Sequence, residues 1–214
     1  MKTKFKNSTQ AFEYLFKYIS KYGNEVDDTK CLYNIGFYMM NPMENEITTP
    51  YRNWNHNYAE YEWEWYLSES QNAEEISKHA KIWKSCMDEN GNVNSNYGYQ
   101  WSRGNQLDYV INELKANPNS RRAAISIYDA KESHLYKKDT PCTYSIWFSI
   151  NGSKLNMSVM MRSNDLVFGF CNDQYCFSNL QRMIAYRLNI EIGTYYHFAN
   201  NIHIYKRHYG LNKK

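Results

Sequence analysis

The sequence places a cysteine and an arginine where they can act together on a bound molecule. Cys142 follows Pro141, and Arg162 opens an Arg-Ser-Asn-Asp cluster at positions 162–165. A free thiol has a pKa of roughly 8.5, and a neighbouring guanidinium stabilises the thiolate, which is the nucleophilic form. The planar fork of an arginine also suits a phosphate group. The pair could therefore serve nucleophilic chemistry on a phosphorylated substrate, but these residues alone favour a small buried cysteine and a solvated Arg-x-x-Asp pair.

The segments that join these residues predict a β-hairpin. Bulky apolar side chains alternate with small or polar ones over 143–150, and the alternation resumes over 154–161. We expect Asn151-Gly152 to supply the two positive-φ positions of a tight turn. Adjacent antiparallel strands then bring the thiol of Cys142 and the Arg162 cluster to the same edge of a sheet.

The remaining chain reads as helices and strands in turn. Ser8 is expected to cap the first helix, and the last strand should place His203 and Tyr205 on one face. Tyr58, Tyr61 and Trp65 should share one face of the second helix. Helical spacing predicts helices over 8–23, 58–67, 73–87, 106–116 and 174–188, and apolar runs predict strands over 31–40, 123–128 and 193–205.

Length and composition limit the possible classes of protein. The 214 residues suffice for one sizeable core without a linker-like break, so we expect a single domain spanning 1–214. A balance of 25 basic against 22 acidic residues disfavours a nonspecific nucleic-acid binder but leaves small anionic substrates open. Five cysteines without Cys-x-x-Cys spacing suggest neither a disulfide framework nor a metal site. No leader or membrane-length apolar run is found, so a cytoplasmic protein is expected.

An ordered set of motifs resembles the pyrimidine-binding half of the thymidylate synthase superfamily. The resemblance covers most of the chain from about Tyr58 to His208 and is weak over the first fifty residues. It implies an α+β fold in which helices cover one face of a mixed or antiparallel sheet and a homodimer forms on the other. The matching elements are Pro-Cys at 141–142, Arg-Ser-x-Asp at 162–165, Gly169, Asn-Asp at 172–173 and His-x-Tyr at 203–205. Within the superfamily, NSNYGYQW (94–101), NPNSRR (117–122) and MRSNDLVFGFCND (161–173) look closest to phage deoxycytidylate hydroxymethylases.

The resemblance implies four catalytic residues. Cys142 would be the nucleophile, and Glu62 would order water and move protons at the pyrimidine. A carboxyl in the tryptophan-rich segment around Glu62 would have its pKa raised by desolvation, as a general acid/base near neutral pH requires. Tyr97 would lie near C5 of the base, where its ordinary pKa of ~10 makes it a poor lone base and ordered water the better agent. Asp173 would read the base.

The resemblance also implies three groups of binding residues, which contact the phosphate, the sugar and a folate. No metal is implied. The groups are Arg162 and Ser163 with Arg121 and Arg122 of a second subunit for the phosphate, His203 and Tyr205 for the sugar 3′-hydroxyl, and Trp83, Asp165 and Gly169 for the folate.

The implied reaction is one-carbon transfer to C5 of a pyrimidine deoxynucleotide. Addition of the Cys142 thiolate to C6 makes C5 a carbon nucleophile, which can take the one-carbon unit of 5,10-methylenetetrahydrofolate. Water then gives a hydroxymethyl group, whereas hydride from the folate gives a methyl group. Asp173 stands where thymidylate synthases carry asparagine, and an ionised carboxylate, a pure acceptor, suits the amino group of cytosine. Two alternatives stay open at this position: a bulge could offer Asn172 instead, or Asp173 could cap the following helix.

Two features depart from the family. The amino-terminal region lacks the Gly-rich loop whose arginine normally binds phosphate, so one phosphate ligand is unassigned. Family members also continue past His-x-Tyr into a segment that covers the folate, whereas only residues 209–214 follow His208 here. Closure would then come from elsewhere, turnover would be slow, or the natural protein would be longer.

Hydroxymethyl transfer to dCMP, in a bacterial or phage-infected host cytosol, is therefore the leading expectation. The nearest alternative is a thymidylate synthase or dUMP hydroxymethylase in which Asp173 has another role. A second alternative is a catalytically weak nucleotide-binding homologue. A third, an aromatic-rich nucleic-acid binder, is disfavoured by the balanced charge.

Overall fold

The computed structural model describes residues 1–213, in which helices pack on one face of a mixed β-sheet. No helix within these residues is long and apolar enough to cross a bilayer. The helices are α1 (Ser8–Tyr22), α2 (His56–Leu67), α3 (Ile76–His79), α4 (Ile82–Cys86), α5 (Tyr97–Ser102), α6 (Gln106–Ala116) and α7 (Gly169–Leu188). The strands are β1 (Lys4–Phe5), β2 (Asn24–Val26), β3 (Thr29–Met39), β4 (Ala124–Ser126), β5 (Thr143–Asn151), β6 (Lys154–Met161), β7 (Asn164–Asp165) and β8 (Glu191–Tyr205).

The sheet has the strand order β1-β3-β8-β6-β5-β4, with β2 added to β3 and β7 added to β8. β8 runs antiparallel to β3 but parallel to β6 and β7, and β6 runs antiparallel to β5. The sheet is therefore mixed. Because β7 follows β6 directly and pairs with the carboxyl-terminal part of β8, the ends of β6 and β8 lie side by side.

Alternation along the strands separates a core face from an outer face. Met157, Val159 and Met161 of β6 are buried, whereas Ser158 and Met160 between them are half-buried. Helix α7 packs on the core face against β6 and β8. Its buried side chains include Phe170, Cys171, Gln174, Phe177, Leu180 and Ile184.

The predicted hairpin is confirmed, but its turn is built differently from the prediction. Asn151 pairs with Lys154 and does not take a positive φ, so the two-residue loop consists of Gly152 and Ser153. Gly152 has φ +63 at the first loop position, where the mirror-image hairpin turns favour glycine. The prediction that Asn151 supplies a positive-φ position is wrong.

The first helix is confirmed with one change at its start. Asn7, not Ser8, is the N-cap, since its side-chain oxygen accepts a hydrogen bond from the backbone N–H of Gln10 at 3.0 Å. Ser8 is the first helical residue, and its buried hydroxyl bonds to Gln174 of α7. The polar contact ties the start of α1 to the central helix.

The predicted helix over 73–87 is wrong as a single element, because α3 and α4 are separated at Ala80. An uninterrupted 15-residue helix would be roughly 22 Å long. Its two ends are instead fixed near each other, since Ala73 N–H donates to Gly91 O and Asp88 N–H donates to Asn92 O, both at 2.9 Å. The 88–92 turn therefore leaves room only for two short helices.

Two further helices differ from the expected pattern. Tyr97 begins α5, which the sequence pattern did not predict, and α7 begins at Gly169 rather than after Asp173. On α2, Trp65 is buried and Tyr58 is half-buried, but Tyr61 is exposed and stacks on His79 with ring centres 3.9 Å apart. Tyr61 and Trp65, four residues apart, lie on one side of this regular helix as expected, but Tyr61 is at the exposed border of that side because the buried face runs through Glu62.

Candidate active site

Cys142 and Arg162 meet at the open end of the β5–β6 hairpin, as predicted. Thr143 pairs with Met161 across the two strands, and the backbone N–H of Arg162 donates to Cys142 O at 2.8 Å. The guanidinium of Arg162 also donates to Pro141 O at 3.1 Å and to Thr140 O at 2.7 Å. The arginine thus fixes the backbone that carries the thiol while its side chain stays exposed.

Burial, rather than the neighbouring charge, dominates the acidity of the thiol. Desolvation raises the pKa of Cys142 to about 11, and the charge of Arg162 lowers it by less. Negative charge on Asp173 would raise it further. The contribution of Arg162 has the predicted sign, but the protein without substrate keeps the thiol protonated at neutral pH.

Tyr97 contacts the backbone next to Cys142. Its hydroxyl oxygen accepts a hydrogen bond at 3.1 Å from the backbone N–H of Thr143, the residue after Cys142. Its ring packs between Phe177 and Tyr66, with ring centres 5.2 Å and 5.6 Å away. Burial first, and then the charge of a Cys142 thiolate, raise the pKa of Tyr97 well above 10, so the phenol keeps its proton.

Glu62 is a buried carboxyl held by two tyrosines of its own helix. The hydroxyls of Tyr58 and Tyr66, one turn before and one turn after, donate to Glu62 Oε1 at 3.1 Å and 3.4 Å. The indole N–H of Trp83 donates in turn to the Tyr58 hydroxyl at 2.9 Å. Burial raises the pKa of Glu62 to about 7, even though both tyrosine hydrogen bonds lower it. The predicted upward shift is confirmed, and the carboxyl can exchange protons near neutral pH.

Asp173 is half-buried on α7 and contacts a residue of β7. Its Oδ2 accepts a hydrogen bond from the side-chain amide of Asn164 at 2.8 Å. Burial, followed by the negative charge of Glu62, raises the pKa of Asp173 well above its ordinary value of 3.8. Negative charge on Glu62 therefore favours the proton-bearing form of Asp173.

Helix α7 excludes one of the two alternatives for Asp173 that the sequence left open, and another contact bears on the second. The helix begins at Gly169, so Asp173 is not its N-cap. The side-chain oxygen of Asn172 accepts a hydrogen bond from the indole N–H of Trp54 at 2.8 Å, so its amide is held by another element. Asp173, rather than Asn172, contacts Asn164.

Gly169 and Asp165, two of the residues predicted to contact a folate, lie close to Asp173. A Cβ atom on Gly169 would lie 3.0 Å from Asn164 Nδ2, 3.3 Å from Asp173 Oδ2 and 3.7 Å from Asp165 Cβ. Asp165 itself is fixed, because its carboxylate accepts hydrogen bonds from the N–H groups of Val167 (2.9 Å) and Phe168 (3.4 Å). The absence of a side chain at Gly169 therefore lets Asn164, Asp165 and Asp173 pack closely around the start of α7.

The His-x-Tyr pair lies next to this cluster because β7 pairs with β8. Asp165 is opposite His203 in the ladder, and the N–H of Leu166 donates to His203 O at 2.8 Å. His203 is buried, and its ring makes an edge-to-face contact with Tyr205 at 5.1 Å between ring centres. The expectation that both side chains share one face is confirmed.

Three of the predicted binding residues take no part in the side-chain contacts described above. Ser163 is half-buried between Arg162 and Asn164. Arg121 and Arg122 are exposed and precede the edge strand β4, and no polar contact among residues 1–213 links either side chain to Cys142 or Arg162. Their expected role in a second subunit stays a prediction.

Several residues of the site were missed from sequence. Asn164 contacts both Asp173 and the buried His197, which in turn contacts Tyr195. Tyr58 and Tyr66 could have been found, since residues four apart on a helix lie on one side of it. Tyr195 and His197 share the inward face of a strand, but nothing in their spacing points to Asn164. Within residues 1–213, no group of three or more His, Cys, Asp or Glu side chains could hold a metal ion.

A thiol and an arginine at the open end of the hairpin, with two carboxyls of raised pKa on helices α2 and α7, form an arrangement suited to covalent catalysis. The family model for thymidylate synthase matches residues 10–214. The chain belongs to the thymidylate synthase family, and its α+β fold with a mixed sheet is the fold of that family.

Individual relatives include both branches of the family. A thymidylate synthase of Fusobacterium nucleatum is 34% identical over 153 residues, which is 69% of this chain and 55% of that protein. A thymidylate synthase of Bacillus mojavensis is 30% identical over 76% of this chain and 61% of that protein. The deoxycytidylate 5-hydroxymethyltransferase of Enterobacteria phage T4 is 36% identical over 173 residues, covering 73% of this chain and 70% of that protein. The chain thus spans about 60% of the length of the two thymidylate synthases.

Proposed function

We propose that this protein transfers a one-carbon unit from 5,10-methylenetetrahydrofolate to C5 of dCMP and yields 5-hydroxymethyl-dCMP. Cys142 adds to C6 of the cytosine, C5 bonds to the transferred carbon, and C5 loses its proton. Water supplies the new hydroxyl group, the Cys142–C6 bond breaks, and tetrahydrofolate is released. The folate supplies carbon at the oxidation level of formaldehyde, so no external oxidant or reductant is consumed.

Asp173 carries the choice of cytosine over uracil. A protonated carboxyl has one donor and one acceptor, and burial with the nearby Glu62 favours that protonated form. Cytosine presents an amino donor and the N3 acceptor on one edge, which pair with the carbonyl oxygen and the hydroxyl of the acid. Uracil presents an acceptor at O4 and a donor at N3.

Glu62 is proposed to position the water that completes the hydroxymethyl group. Its pKa of about 7 lets it take a proton from that water and return one during the same turnover. Tyr58 and Tyr66 orient Oε1 from the two neighbouring turns of α2, which leaves Oε2 for the water. Tyr97, which keeps its own proton, is proposed to order solvent near C5.

The remaining site residues are proposed to bind and orient. The phosphate would contact Arg162 and Ser163, the sugar 3′-hydroxyl would contact His203 and Tyr205, and Gly169 would lie beside the pterin ring. The binding set is completed by Trp83 and Asp165 for the folate, and by Arg121 and Arg122 of a second subunit for the phosphate.

A homodimer is proposed to form on the outer face of the sheet. Trp147 of β5 and Tyr38 of β3 are 38% and 39% exposed there, and Met160 and Phe198 between them are half-buried. Large exposed apolar groups on a helix-free sheet face are typical of an interface. We also propose that the chain forms a single domain, since one cluster of buried side chains extends from Phe5 to Ile204, and that it acts in the cytoplasm.

The proposal is tested by incubating the protein with 5,10-methylenetetrahydrofolate and either dCMP or dUMP tritiated at C5. We expect tritium release from dCMP and a product whose mass corresponds to an added CH₂O. The Cys142→Ser variant, folded to the same extent by circular dichroism, should release none. A methylated product from dUMP would establish the thymidylate synthase reaction instead. Binding of both nucleotides without any tritium release would indicate a catalytically inactive homologue.

A further inference from the structure

A chain of buried hydrogen bonds connects Asp173 to the interior of the sheet. Asn164 donates from Nδ2 to Asp173 Oδ2 at 2.8 Å, and its Oδ1 lies 3.0 Å from His197 Nε2. The other ring nitrogen of His197, Nδ1, lies 3.0 Å from the hydroxyl oxygen of Tyr195. Asn164, His197 and Tyr195 are all buried, so these groups depend on one another for hydrogen bonding.

His197 is neutral in this position. Its ring is enclosed by Phe37 and Phe170, with ring centres 5.3 Å and 5.2 Å away, and desolvation lowers its pKa to about 3. Its nitrogens contact an amide and a phenol rather than a carboxylate. A neutral imidazole has one N–H donor and one acceptor nitrogen, so the bonds to Asn164 and Tyr195 must run in the same direction along the chain.

The hydrogen bonds from Tyr195 through His197 to Asn164 could run in either of two directions, and the hydroxyl group of Tyr195 distinguishes them. If Nδ1 of His197 carried the hydrogen, the Tyr195 oxygen would accept it, and the phenolic hydrogen would lack a partner. Among residues 1–213 the Tyr195 hydroxyl has His197 as its hydrogen-bond partner and is fully buried. A buried donor without a partner is disfavoured. Tyr195 therefore donates to Nδ1, His197 donates from Nε2 to Asn164 Oδ1, and Asn164 presents its NH₂ group to Asp173.

This direction determines how Asp173 holds its proton. With the NH₂ group of Asn164 on Oδ2, that oxygen is the acceptor of the carboxyl group, and the proton belongs on Oδ1. If the hydrogen bonds ran in the reverse direction, the side-chain oxygen of Asn164 would face Oδ2 of Asp173. The carboxyl proton would then lie on Oδ2 and be donated to Asn164. Only the first arrangement leaves the carboxyl free to offer a donor and an acceptor to the edge of a cytosine ring.

We propose that His197 is a specificity-determining residue, which acts through Asn164 to hold Asp173 in the hydrogen-bonding form that selects cytosine over uracil. His197 is a positioning residue, since Asn164 separates it from Asp173. The inference rests on the proposed use of dCMP, and it extends that proposal to two residues of β8, His197 and Tyr195.

The first test uses the unaltered protein and does not depend on any activity. Long-range ¹H–¹⁵N spectra of ¹⁵N-labelled protein distinguish the two neutral histidine tautomers, and the signals of His197 are identified by their absence in the His197→Gln variant. We expect the tautomer with hydrogen on Nε2, unchanged between pH 5.5 and 8. A hydrogen on Nδ1, or a charged ring in this range, would overturn the inference.

The second test measures the affinities for dCMP and dUMP by calorimetry without folate. The His197→Phe variant keeps a ring of similar size among Phe37 and Phe170 but removes both nitrogens, whereas the amide of His197→Gln can still donate to Asn164. We expect the preference for dCMP to fall roughly tenfold in His197→Phe and to stay within about threefold of the original in His197→Gln. Should His197→Phe fail to fold, Tyr195→Phe removes the group that sets the direction and should lower the preference as well.

The outcomes separate this inference from the function on which it rests. An unaltered protein that does not prefer dCMP would overturn both. A protein that prefers dCMP, and keeps that preference in the folded His197→Phe variant, would overturn the role of His197 alone. Equal losses in the Phe and Gln variants would also contradict it, because a general packing defect would then explain both.

Discussion

Replacing Glu62 by glutamine should separate two effects of this carboxyl, the free-energy cost of burying it and its role in catalysis. Glutamine has nearly the same shape and can accept the hydrogen bonds of Tyr58 and Tyr66 at its side-chain oxygen. Its NH₂ group takes the place of the carboxyl hydroxyl. The variant therefore resembles the protonated form of Glu62 at every pH.

The magnitude follows from the pKa of about 7 in the fold against an ordinary value of 4.5. Between these values the folded protein binds more protons than the unfolded chain, so the stability of the original protein falls as the pH rises. Integrated from pH 5 to pH 8, this loss amounts to about 2 kcal/mol, which the glutamine variant avoids. Glu62→Gln should therefore gain about 2 kcal/mol of stability relative to the original protein over that interval, or roughly 4–8 °C in Tm.

The assay is urea unfolding at pH 5, 6, 7 and 8, with tritium release measured on the same preparations. Glu64→Gln is the matched control, because Glu64 is exposed on the same helix, and its stability difference should not change with pH. Loss of the proton-transferring group should lower turnover by roughly 10²–10⁴-fold while nucleotide binding persists. A stability difference between Glu62→Gln and the original protein that is constant from pH 5 to pH 8 would refute the reasoning.

Three further predictions follow from other contacts. Asp173→Ala, which removes both the donor and the acceptor, should lower the preference for dCMP over dUMP by roughly 10- to 100-fold, since a buried hydrogen-bonding group left without its partner costs about 1–3 kcal/mol; calorimetry with both nucleotides checks this, and an unchanged ratio would contradict it. Because burial raises the pKa of Cys142 to about 11, its alkylation by iodoacetamide, measured in a Cys86→Ser background, should accelerate about tenfold per pH unit from 7 to 10; a plateau near pH 8 would show an ordinary thiol. Gly98→Ala should destabilise the protein by at least about 3 kcal/mol in urea unfolding, because a Cβ there would lie 1.6 Å from a carbonyl oxygen of α2. Gly104→Ala, with open space but φ +62, should cost only about 1 kcal/mol, and equal costs at the two glycines would argue against close packing of α2 on α5.

Local patterns were sufficient to predict where the thiol and the arginine meet. Alternation over two neighbouring strands and a short turn fixes the register, so Cys142 and Arg162 share an edge whatever the rest of the chain does. The same logic placed His203 and Tyr205 on one face of β8. It failed for Asn151, because the turn type depends on which residue pair closes the ladder.

The series of hydrogen bonds that runs from Asp173 through Asn164 and His197 to Tyr195 could not be predicted from such local patterns. Asn164, His197 and Tyr195 come together only because β7 joins the central strand and α7 crosses above both. These contacts join segments that are far apart in sequence. Which residues meet depends on the order of the strands in the sheet rather than on residue spacing. The break between α3 and α4 has the same origin, since the turn at 88–92 limits the length available to a continuous helix.

The ionisable groups of the candidate active site owe their raised pKa values to one main cause. Burial is the largest factor that raises the pKa of Cys142, Glu62 and Asp173. Burial therefore favours the uncharged form of all three groups, and the pKa of about 7 leaves Glu62 partly protonated at neutral pH. The exposed cation of Arg162 lies at the rim, where an anionic phosphate would dock. A neutral ring could therefore bind beside these groups without meeting a full buried charge, whereas an anionic ring would be disfavoured there.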